Sequence, residues 1–390
     1  MRLQHQAHLA YCTNVHPGKD WEQTFHSLQN EVLSVRRSVC PDSEYAIGLR
    51  LSATAARDLE QPQTLLAFQR WLDKENCYVF TINGFPYGDF HNTRVKENVY
   101  LPDWTSPDRL AYTQQLFDLL VQLLPSGVSG SVSTVPGSFK PFNTTPEQLT
   151  GMHENLYQVF QHIERLSERH DTDLHLGLEP EPLCLFETTP ETIAFFEQFL
   201  DQRPDADAIR RRIGVNYDTC HLALQYEDAA KSLDAFTSAG IRISKLHLSS
   251  ALKIRDFSPK TLSQLDSFCE PTYLHQVLAE STHDPLYRYL DLPEALEARR
   301  SGQDNASEWR IHFHIPLHTD PSSPLLSTSD HLLDALDYVA AHPNTCQHFE
   351  METYTWAVMP GSLHSRSAVD QVTSEYKWLL PQLKQRSLIV

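Results

Sequence analysis

The sequence predicts an α/β fold, and within that class a single (β/α)8 TIM barrel with a long insertion before its last strand. Three observations carry this expectation. Short apolar runs alternate with amphipathic helical stretches, the pattern of a parallel sheet wrapped in helices. The chain has 390 residues, more than the roughly 250 of a bare barrel, yet not enough to require a second full domain. Four apolar runs in its second half each end in a metal-type ligand: LHLGLE (174–179), IGVNYD (213–218), ISKLH (243–247) and HFEME (348–352). In a barrel all strands point the same way, so residues at their C-terminal ends converge on one mouth.

Taken in chain order, strands are predicted where a short β-favouring apolar run is bounded by turn residues: 6–11, 45–51, 77–82, 129–134, 174–179, 213–218, 243–248, 310–315 and 347–352. Between them, apolar residues recur at helical spacing over 21–37, 63–74, 107–124, 146–169, 190–200, 226–239 and 329–341. Thr145-Pro146-Glu147 and Thr189-Pro190-Glu191 read as helix starts, with Thr as N-cap and Pro in the first helical position. Nine strands compete for eight places. Residues 310–315 are assigned outside the barrel, because 249–318 is far longer than a normal barrel connection and is expected to fold as a lid over the mouth.

Composition narrows the function. Lys+Arg minus Asp+Glu is 32 − 50 = −18, so the surface repels phosphate backbones and anionic lipid, which argues against a nucleic-acid partner. Seven scattered cysteines (Cys12, Cys40, Cys77, Cys184, Cys220, Cys269, Cys346) form no C-x-x-C pair and fit a reducing cytoplasm. The N-terminal segment MRLQHQAHLAY lacks the apolar core of a signal peptide, and no apolar run approaches the roughly 20 residues that cross a bilayer. A soluble cytoplasmic protein is expected. No G-x-G-x-x-G, Walker loop or G-x-S-x-G occurs, so dinucleotide, nucleotide and serine-hydrolase chemistry lack support.

Two Glu, one Asp and one imidazole at strand ends make a divalent-cation site that leaves room for substrate oxygens. Glu179 ends its strand at Pro180, which favours ligand or catalyst over a buried ion pair, and Glu181 is either its supporting partner or a solvated loop residue. Asp218 and His221 form D-T-C-H, a weak motif alone but strengthened by its place after an apolar strand. His247, by itself, would more often be a satisfied core histidine; three carboxylates for company make it a ligand. Glu350 and Glu352 face one side of their strand. Glu352 is the expected ligand, with Glu350 one layer deeper and in need of Arg50 or Lys245; a register shift of two would exchange them. His312 and His314, an H-x-H pair, read as substrate contacts or packed lid ahead of metal, while His16, Asn14, Asn83, Tyr87 and His91 follow strands and can reach the mouth. Tyr354–Trp356 is an apolar wall of the site or plain core.

With these residues placed, the chain resembles the xylose-isomerase-like barrel superfamily of sugar isomerases, ketose 3-epimerases and endonuclease-IV-type enzymes. The resemblance rests on Leu178-Glu179-Pro180, Asp218-x-x-His221, Leu246-His247-Leu248 and the strand-terminal Glu352. Within it, YCTNVHPG (11–18), NGFPYGDFH (83–91), VKENVYLPDW (95–104) and ETYTW (352–356) are similar to the EboE-like metabolite-traffic group of bacterial secondary-metabolite operons. The resemblance implies one divalent metal ion (Mn, Mg, Co or Zn) on Glu179, Asp218, His247 and Glu352. It also implies proton exchange between catalytic Glu179 and Glu352 on opposite faces of one substrate carbon, and contact of His221 with a substrate oxygen. The Arg that the epimerases carry after the strand-seven His would be replaced by Lys253 or Arg255. The expected partner is a small hydroxylated molecule (a sugar, cyclitol or polyol), with further partners from the same operon. Two other readings stand beside the epimerase: a non-catalytic metabolite-binding protein on the same barrel, and an endonuclease-IV-type hydrolase recruiting His312, His314 or His91.

Overall fold

The computed structural model describes residues 1–91, 94–201, 203–281, 285–319, 324–361 and 367–389. Strands β1 (His8–Tyr11), β2 (Tyr45–Arg50), β3 (Cys77–Asn83), β4 (Gly130–Thr134), β5 (Leu174–Leu178), β6 (Ile213–Asp218) and β7 (Ile243–Leu248) are followed by five short strands. These are β8 (Ala251–Ile254), β9 (Val277–Glu280), β10 (Tyr287–Tyr289), β11 (Glu308–His314) and β12 (Leu325–Ser327), after which β13 (His348–Met351) completes the set. β1–β7 and β13 form one parallel sheet in the order β1-β13-β7-β6-β5-β4-β3-β2. A parallel bridge from Cys12 to Gly48 brings β1 back against β2, so the sheet nearly closes on itself. The fold is the expected α/β eight-stranded barrel. Every residue of its eight strands is buried, as a parallel sheet covered by helices requires.

The other five strands make a separate antiparallel sheet, in the order β10-β9-β11-β8-β12. Residues 249–318 supply four of them; the fifth, β12, lies beyond that segment. Residues 282–284 of the expected insertion are outside the described set. The second sheet has its own core, in which Leu252, Ile254, Phe268, Val277, Trp309, Ile311 and Phe313 pack together. β11 carries the apolar run, residues 310–315, that was surplus to the eight places of the barrel. It alternates apolar and polar residues: Trp309, Ile311 and Phe313 fill this small core, and His312 and His314 turn the other way, toward the barrel mouth.

Local signals explain most helices. Thr145 caps the helix Pro146–His170 in a full capping box with Gln148. The helix Thr189–Leu200 is capped one residue earlier than expected: Thr188 pairs with Glu191 in a capping box, while the Thr189 hydroxyl bonds Glu227. The spacing T-x-x-E decides this, since only Thr188 stands three residues before a Glu. The helix expected over 226–239 begins at Ala229, because Asp228 caps it through Lys231 N–H. Helices Ala53–Leu59, Ala206–Arg212, Thr219–Leu224, Pro259–Leu265, Leu292–Arg300 and Ala368–Gln385 were not marked by the apolar period. Most are two turns or fewer, too short for a 3.6-residue pattern to emerge. Among the described residues no helix is long and apolar enough to cross a membrane.

Candidate functional site

Parallel pairing sets the register that assembles the site. Asp218 lies opposite His247, and Glu350 opposite His247 on the other side. Glu179 extends β5 through its N–H to the Thr134 carbonyl (3.0 Å), and Glu352 extends β13 through its N–H to the Leu248 carbonyl (3.0 Å). Four side chains from four strand ends therefore meet. One ligating atom from each of Glu179, Asp218, His247 and Glu352 lies within 4.8 Å of the other three, and all four residues are buried.

His247 is the hub. Its Nδ1 is 3.0 Å from Glu179 Oε1, 3.2 Å from Glu352 Oε2 and 3.6 Å from Asp218 Oδ2. Its Nε2 faces Glu350 Oε2 at 2.9 Å. A carboxylate on one ring nitrogen holds a proton there and orients the ring so that the other nitrogen faces the cluster, as in metal-binding histidines. Burial works against a charged imidazole at this position. Glu352 and Glu179 outweigh it and hold His247 well above the ordinary histidine range. The cluster is thus built to favour positive charge at its centre.

Each carboxylate is held differently. Glu352 Oε1 accepts from Asn14 Nδ2 (2.8 Å) and Asn83 Nδ2 (2.9 Å), which leaves Oε2 for the cluster. Asp218 Oδ1 accepts from the N–H groups of Cys220 (2.7 Å) and His221 (3.1 Å) and from Ser249 Oγ (2.6 Å), so Asp218 also caps the helix Thr219–Leu224. Its Oδ2, like Glu179 Oε2, is buried without a hydrogen-bond partner. A buried, unpartnered carboxylate oxygen is costly, and two beside one imidazole fit a cation-binding donor set.

Below this layer Glu350 Oε2 meets Lys245 Nζ at 2.5 Å, both groups fully buried. Burial would raise the Glu350 carboxyl, but Lys245 and His247 pull it down to about 2. Of the two cations considered for Glu350, Lys245 is therefore the partner. Arg50 instead donates to the carbonyls of Gly18, Pro86 and Gly88. Gly48 makes room for this layer: a Cβ there would stand 2.1 Å from Glu350 Oε1 and 2.6 Å from the Tyr11 carbonyl.

Above the cluster opens a cleft with about 510 Å³ of atom-free space. Glu179, Glu352, Asn14, Asn83, His221 and His312 face it, and Phe85, Phe90, Tyr273 and Tyr354 supply an aromatic wall. Glu181 faces it too. Burial lifts its carboxyl to about 8, with Tyr100 OH donating to Oε1 at 2.8 Å. Nothing in the sequence marked Tyr100, Gln276 or Ser249 individually, because each reaches the site across a long sequence separation.

Three expected contacts lie elsewhere. Lys253, on β8, points away and pairs with Asp330 Oδ2 at 3.1 Å. Arg255, its stand-in, pairs with Glu308 at 2.5 Å. His16 turns its Nε2 to Tyr11 OH (2.9 Å) and borders a different surface depression. His314 is buried beside the site, its Nδ1 on the Glu352 carbonyl at 2.9 Å. His91 bonds the Asn14 carbonyl at 2.6 Å, steadying the loop that carries Asn14.

No protein-family model matches the sequence, and no curated protein is similar to it. Solved structures share its fold at low identity. An L-ribulose 3-epimerase is 10% identical over 99% of this chain and 96% of its own, with a TM-score of 0.50. The zinc-bound IolI protein is 12% identical over 97% and 98%, with a TM-score of 0.49. The probable 3-DHS dehydratase AsbF of Bacillus anthracis is 12% identical over 95% and 98%, with a TM-score of 0.43. At 10% identity the likeness to the epimerase speaks to the barrel fold alone.

Proposed function

We propose that this chain is a metal-dependent isomerase or epimerase of a small hydroxylated carbonyl compound, a sugar, cyclitol or related polyol. The observation that carries the reading is the pair Glu179 and Glu352. Both face one cleft and both lie within 3.2 Å of the same His247 nitrogen. Glu179, Asp218, His247 and Glu352 would hold one divalent ion (Mn, Mg, Co or Zn). That ion, when bound, polarises a substrate carbonyl and acidifies the neighbouring C–H.

The residues supply the rest. Asn14 and Asn83 tie down one oxygen of Glu352, so its carboxylate meets the substrate in a fixed orientation. Glu179 keeps an oxygen with no hydrogen-bond partner, free to take or return a proton. With one carboxylate taking the proton from one face and the other, already protonated, delivering its own proton to the opposite face of the same carbon, configuration inverts without net redox change. Solvent then restores the two protonation states. Phe85, Phe90, Tyr273 and Tyr354 line the cleft beside these carboxylates and give the substrate an apolar wall. Residues 249–318 act as a lid within a single-domain protein, since Tyr273, Leu274 and His312 of that segment line the cleft.

The similarity of four sequence stretches to the EboE-like group supports placing the substrate in a bacterial secondary-metabolite pathway, in the cytoplasm, with partners from the same operon. The test is exchange of substrate C–H with solvent deuterium across a panel of ketoses and inososes, followed by NMR. Wild-type protein loaded with Mn²⁺ should exchange one position. Glu352→Gln and Glu179→Gln should abolish exchange while the far-UV spectrum stays unchanged. Exchange that persists in both variants refutes the mechanism. Tight binding without exchange would instead support a metabolite-binding protein on the same barrel.

A further inference from the structure

The cleft has two unlike sides. One is polar, where Asn14, Asn83, Glu179 and Glu352 gather at the strand ends. The other is apolar and is drawn from three separate segments. The connection after β3 supplies Phe90, Val95 and Val99, the insertion supplies Tyr273, and the segment after β13 supplies Tyr354. Phe90, Val95 and Tyr273 form a small cluster of their own, with Val99 and Tyr354 packed against it. The ring centroids of Phe90, Tyr273 and Tyr354 stand 5.2 Å apart in all three pairs. Backbone bonds hold this side together. The N–H groups of Val95 and Lys96 donate to the Thr272 carbonyl (2.9 and 2.7 Å), and the Tyr273 hydroxyl donates to the Phe90 carbonyl (2.9 Å).

A free sugar or cyclitol carries hydroxyls all round its frame. A hydroxyl pressed against Val95 or Val99 gives up its water without gaining a partner, which costs binding energy. The hydroxyls of Tyr273 and Tyr100 are already committed, to the Phe90 carbonyl and to Glu181 Oε1. This side of the cleft therefore matches apolar surface on a ligand.

Charge narrows the match. Among the described residues lining the cleft, Lys96 is the only Lys or Arg, and its Nζ lies 2.5 Å from Asp291 Oδ2 and 3.1 Å from the Glu270 carbonyl. Its charge is answered within the protein. Asn14 and Asn83 each spend an amide N–H on Glu352. A phosphate or carboxylate placed away from the four-residue cluster would find no free cation, on a chain of net charge −18.

We propose that the substrate is an uncharged amphipathic molecule, with a hydroxylated carbonyl head at Glu179 and Glu352 and an apolar substituent seated on Phe90, Val95, Val99, Tyr273 and Tyr354. This substrate class presupposes the hydroxy-carbonyl chemistry proposed for the site, and it excludes sugar phosphates. The substituent is a ring or a branched alkyl group, because the side that receives it is built from aromatic rings and valines.

Three derivatives of D-fructose with the same blocked position test this: the 6-O-methyl ether, the 6-O-benzyl ether and the 6-phosphate. Their affinities for the full-length, Mn²⁺-loaded protein are measured by isothermal titration calorimetry. The benzyl ether should bind about tenfold or more tighter than the methyl ether, and the phosphate more weakly than either. Val99→Asn and Val95→Asn should each remove most of the benzyl advantage and leave the methyl ether unchanged, with folding checked by far-UV circular dichroism. Equal affinities of the two ethers, tightest binding of the phosphate, or no binding of the benzyl ether overturns the substrate class. So does a benzyl advantage that survives both variants. Exchange of sugar C–H with solvent deuterium, followed on the same samples, separates this class from the reaction itself. Exchange with equal affinities overturns the class and leaves the reaction standing, whereas a benzyl preference without exchange supports the class and counts against the reaction.

Discussion

Glu375 offers a sharp test of the electrostatics that hold the site's far edge. It lies on the C-terminal helix Ala368–Gln385, is 1% exposed, and accepts hydrogen bonds from the Thr353 hydroxyl (2.7 Å) and the Leu317 N–H (3.1 Å). Thr353 directly follows Glu352, so this carboxyl ties the end of β13 to the helix. Burial raises its pKa from 4.5 to about 7, against the smaller opposing pull of those two hydrogen bonds. The folded protein therefore holds this proton more tightly than the unfolded chain. The resulting stabilisation is complete below pH 4.5 and is lost as pH rises through about 7. A difference of about 2.5 in pKa corresponds to on the order of 3 kcal/mol.

Glu375→Gln keeps the shape and one acceptor oxygen while removing the charge. It should be close to neutral near pH 4.5 and stabilising by up to about 3 kcal/mol near pH 8. Urea unfolding of both proteins across that range measures the difference. A gap that stays constant with pH, or a variant less stable than wild type near pH 8, would refute the claim that a buried charge forms there.

Two further outcomes follow from the layer beneath the cluster. Lys245→Met leaves the fully buried Glu350 charge without its lysine and should destabilise by about 3–5 kcal/mol. Adding Glu350→Gln should recover much of that loss in a double-mutant cycle by chemical denaturation, and strictly additive effects would show the pair uncoupled. Gly48→Ala drives a methyl into Glu350 Oε1 and the Tyr11 carbonyl. Because one obstacle is backbone, it should cost at least about 1–3 kcal/mol of thermal stability, and an unchanged melting temperature would contradict the packing.

Much of the barrel was legible because its signals are local. Strands covered on both faces must be apolar throughout, which marks them as short continuous runs. Their common direction then says that Glu179, Asp218, His247 and Glu352 share one end. Chain length and the excess of strands likewise pointed to a surplus segment. Sequence could not say what that segment builds. β12 joins its sheet from beyond residue 318, and such antiparallel pairing depends on register between distant strands.

The site divides along the same line. Side-chain type and strand-end position singled out the four-residue cluster. Which cation answers Glu350, Lys245 or Arg50, was decided only by three-dimensional packing, as were the departures of Lys253 and His16 from the mouth. The H-x-H of β11 shows the limit most clearly. Its two-residue spacing determined that His312 and His314 share a face, a property of any extended strand. That this face meets His221, with each Nδ1 against an oxygen and the Nε2 atoms of His221 and His312 3.1 Å apart, depends on Pro180, Gln276 and Glu352 converging through the folded chain. A linear sequence carries periodicity and residue chemistry. Proton positions and ligand geometry arise only when distant segments share a common volume.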